Sequence, residues 1–200
     1  MIASRVFRLS FAIVFVAVLP VLAQSSAPEL PEVFSGTLVD AGGAVPRATS
    51  ARFTLHIDEY TSDDEALALL EVLAKEGPKG LEDAMRDLDK GWIRIGSSLG
   101  YPISVARTFE TENGRMVRVA TDRPVQMFEV IRGLRSKDYP FGILEIQLDG
   151  ENRGQGRLIP AAEVSFSAEG SLEIESLGTQ PFRLLKVTKN QPKKKKKKKQ

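Results

Sequence analysis

The sequence predicts an α+β fold: a mainly antiparallel, curved or barrel-like β-sheet with a two-helix hairpin inserted after the first well-marked strand. Three observations lead to this class. Residues 52–58 alternate between apolar and polar, residues 62–88 carry apolar residues at helical spacing, and from Gly91 onward alternating segments follow one another across short turns. Because short turns favour antiparallel neighbours, we expect the helices to cover one face or end of the sheet.

The N-terminal segment has the pattern of a cleavable export signal. Arg5 and Arg8 precede an apolar run over residues 9–22, and Ala23 supplies the small side chain that a signal peptidase requires. The run is about 14 residues long, shorter than the roughly 20 that a membrane-spanning helix needs, so an uncleaved anchor is the weaker alternative. We therefore expect a signal peptide at residues 1–23 and an exported protein, periplasmic or extracellular, without a transmembrane segment after cleavage.

The rest of the chain divides by composition and charge. We expect a disordered leader at residues 24–32, a single α+β domain at residues 33–190 and a disordered polylysine tail at residues 191–200. Without residues 1–23 the chain has 26 basic and 26 acidic residues, but residues 24–192 alone carry 19 basic against 26 acidic ones. An acidic domain therefore carries a basic tail. The chain has no cysteine, which excludes a disulfide framework.

Two strands are predicted before the helices. The first is a short apolar run at residues 34–39, which ends at a glycine-rich turn. The second covers residues 52–58, where apolar residues at the odd positions alternate with polar ones and are expected on the buried face. The lone histidine, His56, therefore points to the other face.

The next segment is predicted to form an acidic helical hairpin. Ser62 followed three residues later by Glu65 is a capping box, and the acidic residues beside it favour a helix N-terminus. This first helix should end at Gly77-Pro78, because glycine supplies a left-handed cap and proline cannot continue the hydrogen-bond ladder. A second short helix fits residues 81–88.

Seven further strands are predicted after Gly91. They cover residues 92–95, 103–109, 115–120, 142–148, 163–166, 172–175 and 182–187. Asn113-Gly114 is a strong hairpin signal, because both residues tolerate the positive φ angles of a type I′ turn, and Glu169-Gly170 is a weaker one. Residues 125–134 fit either an amphipathic helix or a strand that enters a turn, and the strand is preferred.

The motifs that could carry chemistry are weak. Residues 96–100 match Gly-x-Ser-x-Gly with Ser98 as nucleophile, but such an elbow leads into a helix, a strand is predicted here, and His56 precedes Ser98. His56 has no second histidine or cysteine with which to form a transition-metal site. The glycine-rich residues 150–156 lack the lysine of a phosphate loop, and residues 148–154 indicate a turn. We therefore expect no enzyme activity, no metal and no cofactor.

Two basic clusters are the candidate binding sites, one in the middle of the chain and one in the tail. They consist of Arg115, Arg118, Arg123, Arg132, Arg135 and Lys137, and of Lys193, Lys194, Lys195, Lys196, Lys197, Lys198 and Lys199. A solvated sheet surface and a solvated tail without a dedicated partner are the alternatives. The partner expected for the tail is an anionic envelope polymer or lipid surface, and nucleic acid is disfavoured as the specific partner.

Two short stretches carry a resemblance to other proteins. RSKDYPFG at residues 135–142 and LGTQP at residues 177–181 resemble segments of secreted bacterial proteins of unassigned function. The resemblance covers roughly residues 115–187 and implies an exported bacterial domain, without implying an activity.

The sequence leaves the function open among three classes. The first is a non-catalytic exported binding or envelope-associated module whose cationic tail attaches to anionic surfaces. The alternative is a carrier of a small apolar ligand inside the curved β-sheet. A hydrolase of unrecognised type, with Ser98 and His56 as its residues, is the second alternative.

Overall fold

The computed structural model describes residues 28–40, 50–125, 138–167, 170–176 and 181–190. Outside these ranges lie the predicted signal peptide, residues 24–27 of the predicted leader, the polylysine tail and residues 126–134 of the ambiguous segment. In the described part of the chain, no helix has both the length and the hydropathy that crossing a membrane requires.

The described residues form ten strands and one helix. In chain order they are β1 (Glu32–Val39), β2 (Ser50–Ile57), α1 (Asp63–Met85), β3 (Gly91–Ile95), β4 (Tyr101–Pro102), β5 (Val105–Thr111), β6 (Gly114–Thr121), β7 (Phe141–Asp149), β8 (Arg153–Phe166), β9 (Leu172–Ser176) and β10 (Phe182–Asn190). Every strand pair is antiparallel. The predicted α+β class with a curved antiparallel sheet is therefore confirmed, and the helix does follow β2.

The strand order shows two meanders joined by the last strand. The order is β4-β3-β2-β1-β10-β8-β7-β6-β5, and β9 pairs with β8 outside this path. The first four strands in sequence form one half and β5 to β8 form the other. Since β10 pairs with both β1 and β8, it connects the halves through backbone hydrogen bonds.

The sheet curls so that its two edge strands, β4 and β5, come together, and the two strands are also neighbours in the sequence. β4 pairs with β3, whereas β5, which is separated from β4 by only two residues, pairs with β6. Between the two strands, Ser104 N donates to Ala120 O at 3.0 Å. The loop before α1 joins the same edge, since Thr61 N donates to Ala106 O at 2.7 Å.

Apolar side chains fill the inside of the curl. Phe53, Leu55 and Ile57 of β2 are completely buried there, as their alternation predicted, while His56 lies on the other face of the strand. Buried side chains from β1, β3, β5, β6, β7, β8 and β10 complete this cluster. The main core is therefore enclosed by the sheet itself and not by the helix.

The helix α1 packs on the outer face of the sheet. Leu73, Leu81 and Met85 form a second apolar cluster with β7 and β8, in which Phe141 is 1% exposed and Val164 is 8% exposed. The two clusters use the two faces of the same strands, because neighbouring residues in a strand point to opposite sides. Both sides of β7 are consequently apolar over residues 141–144, whereas the outer side carries the polar Glu145 and Gln147 further along the strand.

The predicted two-helix hairpin is wrong, because the structure has a single helix over this segment. Gly77 leaves the helical conformation with φ 71° and ψ −168°, and Pro78 follows it inside α1. Glycine adopts this φ without the steric penalty of a side chain, so the interruption is confined to one residue. The apolar residues on either side of the kink therefore pack into the same outer cluster.

The hairpin at Asn113-Gly114 is confirmed, but its turn is displaced by one residue. Thr111 pairs with Gly114, which leaves Glu112 and Asn113 as the two-residue loop. Gly114 has φ 143°, whereas Asn113 is not among the residues with positive φ, so the predicted type I′ turn is wrong. The second predicted hairpin is also present, between β8 and β9, and Gly170 there has φ 80°.

Strand β8 is much longer than predicted, with 14 residues. Its first half contains Gly156 and also Gly154, which was predicted to end a turn over residues 148–154. A Cβ atom on Gly154 would lie 1.8 Å from Gln147 O, and one on Gly156 would lie 2.1 Å from Glu145 O. These glycines therefore permit β7 and β8 to approach more closely than any side chain would allow.

Candidate ligand-binding groove

An apolar groove of about 340 Å³ lies between α1 and the outer face of the sheet. Its helix wall includes Leu69, Leu73 and Leu81, and its sheet wall includes Val105, Ala120 and Ile143. Among the described residues that line it, only Arg107 and Arg118 carry a polar side chain.

The residues that line the groove follow from the side-chain periodicity of the helix and of the strands. Leu69 and Leu73 lie one helical turn apart and therefore share a face of α1. Val105 and Ala120 are direct partners on β5 and β6, so their side chains point to the same side of the sheet. Ala120 is small, which leaves space beneath the helix.

Apolar side chains at the rim of the groove reach solvent. Leu70 is 38% exposed, Phe109 37%, Leu172 47% and Ile174 40%, and all four line the groove. Contiguous exposed apolar surface of this kind marks ligand or partner sites, whereas single exposed apolar residues are ordinary.

Two arginines stand at this rim. Arg107 on β5 and Arg118 on β6 are direct partners in the strand register. Their guanidinium carbons lie 5.7 Å and 5.8 Å from the centre of the Phe109 ring. The rim therefore combines an exposed aromatic ring with two cations, and the ring helps to orient both cations.

Each arginine at the rim also contacts a carboxylate. Arg107 Nη2 donates to Asp63 Oδ1 at 2.6 Å, and Arg118 Nη2 donates to Glu145 Oε2 at 2.5 Å. The other oxygen of Glu145 accepts from Arg157 at 3.1 Å. One carboxylate is thus shared between two guanidinium groups.

A second polar feature is an ionic cluster around Glu32, which is completely buried. Arg115 donates to both carboxylate oxygens of Glu32, at 2.9 Å and 2.7 Å, and Lys189 Nζ lies 2.5 Å from Oε1. Tyr60 donates its hydroxyl to Oε2, and Asn152 accepts from Arg115 at 2.9 Å. The cluster therefore joins the start of β1 to β6, β10 and the loop before α1.

The charge state of this cluster follows from its contacts. Burial disfavours the ionised form of Glu32, but hydrogen bonds from Arg115, Lys189 and Tyr60 outweigh it and hold the pKa of Glu32 below its usual value. Burial, and then the hydrogen bond to Glu32, raises the pKa of Tyr60. Glu32 is consequently a carboxylate and Tyr60 a neutral phenol at neutral pH.

A polar cleft of about 400 Å³ lies beside the Glu32 cluster. Glu29, Glu110 and Asp149 contribute carboxylates to its lining, while Arg115 and Lys189 contribute its cations. Both cations already contact Glu32, so this cleft presents mainly acidic groups.

The structure does not gather the predicted central basic residues into one site. Arg115 pairs with Glu32 inside the curl, and Arg118 lies on the opposite face at the groove. Arg123 pairs with its neighbour Asp122 at 2.8 Å. Other predicted members of the two basic clusters lie outside the described residues; they are Arg132, Arg135, Lys137 and residues 193–199.

Ser98 and His56 have local contacts of their own. Residues 96–100 connect β3 to β4, as the sequence predicted, and Ser98 Oγ accepts from Ile95 N at 3.2 Å within this turn. His56 stacks on Trp92 with ring centres 5.3 Å apart, and its Nε2 lies 3.0 Å from Asp58 Oδ1. The described residues contain no group of three or more potential metal-ligating His, Cys, Asp or Glu side chains.

Neither the outer groove nor the position of Arg107 beside it was predicted from the sequence. One signal for the groove was present in β7, where the apolar residues Ile143 and Leu144 are adjacent and therefore face opposite sides of the strand. A strand that is apolar on both faces needs cover on both, which indicates a second packing layer. Arg107 itself lay in a predicted strand with no feature that distinguished it from a solvated residue.

Comparison with known proteins found no family model, no curated protein and no solved structure that matches this chain.

Proposed function

We propose that this protein is a non-catalytic binding protein that carries a small apolar ligand in the groove between α1 and the sheet. The observation that supports this best is an almost entirely apolar lining that continues to an exposed rim. The groove volume of about 340 Å³ lies within the roughly 300–1,000 Å³ typical of small-molecule sites.

The proposed position differs from the carrier expected from the sequence, which held its ligand inside the curved sheet. Side chains such as Phe34, Phe53 and Phe182 fill the inside of the curl and are at most 2% exposed. Additional atoms there would force side chains out of a close-packed arrangement. A ligand on the outer face requires no such displacement.

Binding of the neutral dye N-phenyl-1-naphthylamine, whose fluorescence rises in apolar surroundings, tests this proposal. Ala66 lines the groove from α1, so Ala66→Trp should fill part of it and weaken dye binding. A loss of about tenfold in affinity requires only about 1.4 kcal/mol of lost contact.

The matched control is Ala68→Trp, which adds the same side chain at an exposed position of the same helix. It should bind the dye as the original protein does. Equal dye affinity in all three proteins, or no dye binding by the original protein, would contradict the proposed groove function.

For the cationic tail, the second proposed function is attachment of the exported protein to an anionic envelope polymer or lipid surface. The supporting observation is the sequence of residues 193–199, seven consecutive lysines on a chain whose residues 24–192 are acidic overall. Clusters of lysine are attracted to anionic lipid surfaces. Co-sedimentation with anionic vesicles, with and without residues 193–199, measures this role.

A further inference from the structure

The placement of Arg107 and Arg118 is unfavourable unless an anion is near. Direct partners on neighbouring antiparallel strands have Cβ atoms roughly 4.5–5.5 Å apart, and like charges in such pairs destabilise a sheet. The side chains could have diverged into solvent. Instead, both guanidinium groups converge on Phe109 at the rim of the apolar groove.

Local carboxylates compensate these charges only in part. Asp63, the partner of Arg107, is 85% exposed, so water screens that pair. Glu145 serves both Arg118 and Arg157, which leaves one positive charge in excess in that triad. Asp63 and Glu145 contact these arginines from outside the groove, and no described acidic residue lines the groove itself, so the charged groups in its lining are all positive.

We propose that the groove takes a single-chain amphiphile with an anionic head group, held with its head at Arg107 and Arg118 and its apolar chain between α1 and the sheet. This inference rests on the proposed function, since it names the ligand class of the same groove. The arginine fork suits a carboxylate or phosphate head, because its parallel N–H groups bind two oxygens at once. The apolar walls suit the chain, because they offer it no hydrogen-bonding partner.

Displacement of N-phenyl-1-naphthylamine by three amphiphiles of equal chain length tests the head-group preference. Decanoate should displace the dye at a concentration at least about tenfold lower than decanol or decyltrimethylammonium, since a hydrogen bond to a charged group contributes roughly 1.5–3 kcal/mol. Decyl phosphate, run beside decanoate, distinguishes the two anionic heads. All measurements use the same ionic strength, because salt screens exposed charges.

Two variants assign the preference to the rim. Arg118→Gln and Arg107→Gln should each reduce the advantage of the anions over decanol, measured within each variant as the ratio of the concentrations at which decanol and decanoate displace the dye. Arg153→Gln removes an exposed arginine outside the groove and should leave the advantage intact. Circular dichroism spectra and melting temperatures compare the folding of the three variants.

The possible outcomes separate the two proposals. Loss of the anion advantage in the rim variants alone supports the inference. Equal displacement by decanoate, decanol and decyltrimethylammonium, or an anion advantage that persists in both rim variants, overturns it and leaves the groove function standing. Failure of the dye and of every amphiphile to bind overturns both.

Discussion

Glu32 is the residue whose environment leaves the least freedom for substitution. Its carboxylate is completely buried and pairs with both Arg115 and Lys189, which are themselves only 13% and 26% exposed. Glu32→Gln keeps the size of the side chain and removes its charge. We expect it to lower the free energy of unfolding by roughly 3 kcal/mol, toward the lower end for a broken buried ion pair, because Lys189 retains some contact with water.

Urea denaturation at neutral pH measures this loss. The control is Glu151→Gln, where the carboxylate is 72% exposed and pairs with Arg153, and there the change should stay below about 1 kcal/mol. If both variants lost the same small amount, Glu32 would not hold the cluster together as described.

The difference in unfolding free energy between the original protein and Glu32→Gln should depend on pH with a known sign. The folded-state pKa of Glu32 is lower than its usual value, so its stabilising contribution is fully present above the pKa of an unfolded glutamate, about 4.3. The contribution is lost as the pH falls through the lower folded-state pKa, because the protonated side chain then resembles glutamine. The stability difference between the original protein and Glu32→Gln should therefore shrink in acid, and a difference that grew there would contradict this assignment.

Sequence reasoning selected Arg115 as a candidate for an external anion but could not provide its partner. The carboxylate that Arg115 binds lies 83 residues away in the sequence, so no local spacing connects the two. Arg115 also faces inward, in line with Val117 and Val119, whereas an arginine in a predicted strand is normally taken as solvated.

At the scale of the elements, β8 depends on two glycines. Gly154→Ala and Gly156→Ala each place a Cβ atom about 2 Å or less from a carbonyl oxygen of β7, so the strands must separate. We expect each to lower the free energy of unfolding by about 1–3 kcal/mol or more, the usual cost of overpacking.

The matched change is Gly150→Ala in the turn before β8, where an added Cβ atom meets nothing within 4 Å. It should alter stability by less than about 0.5 kcal/mol, as surface substitutions usually do. Urea denaturation measures these differences. A shifted midpoint, with an unchanged dependence of the unfolding free energy on urea concentration, reports a change in stability alone. A destabilisation at Gly150 as large as that at Gly154 would show that the close approach is not the cause.

Elements with local determinants were the ones that could be predicted. The capping box of Ser62 and Glu65 is present at the start of α1, because both of its hydrogen bonds lie within one turn. The alternation in β2 likewise reports its two faces directly. The start of β8 and the continuation of α1 past Gly77 depend on the elements that pack against them. Glycine is typical of turns, so its presence inside a helix or strand cannot be predicted without knowledge of that packing.

At the scale of the whole molecule, charge is the property that the sequence shows best. Residues 193–199 concentrate seven positive charges. Near an anionic membrane, each lysine contributes roughly 1 kcal/mol to the free energy of binding. Binding to anionic vesicles should therefore be strong at low ionic strength, decline steeply as salt shortens the Debye length below about 10 Å, and vanish when these residues are deleted. Binding to neutral vesicles, or binding that survives the deletion, would contradict the role proposed for the tail.

The apolar residues on both faces of β7 signal a second packing layer, but the position of the groove within that layer could not be predicted, for a geometric reason. It is formed where α1 crosses strands that are distant in sequence, and neither the crossing nor the space beneath the helix has a signature along the chain. Arg118 was a candidate and Arg107 was not, although the register makes them equivalent partners. Pairing across strands, and not composition, decides that they act together.

The central position of β10 determines when this fold can become complete. It is the last strand along the described chain, yet it lies between β1 and β8, and its pairing with β1 joins residues more than 140 positions apart. Until those C-terminal residues are available, the two meanders lack the strand between them, and each has an unpaired edge. Long-range pairing of this kind slows folding, because loop closure must precede the contacts that compensate for it. A ribosome must therefore synthesise β10 before the sheet can close, which places closure of the sheet after almost all of the described chain has been made.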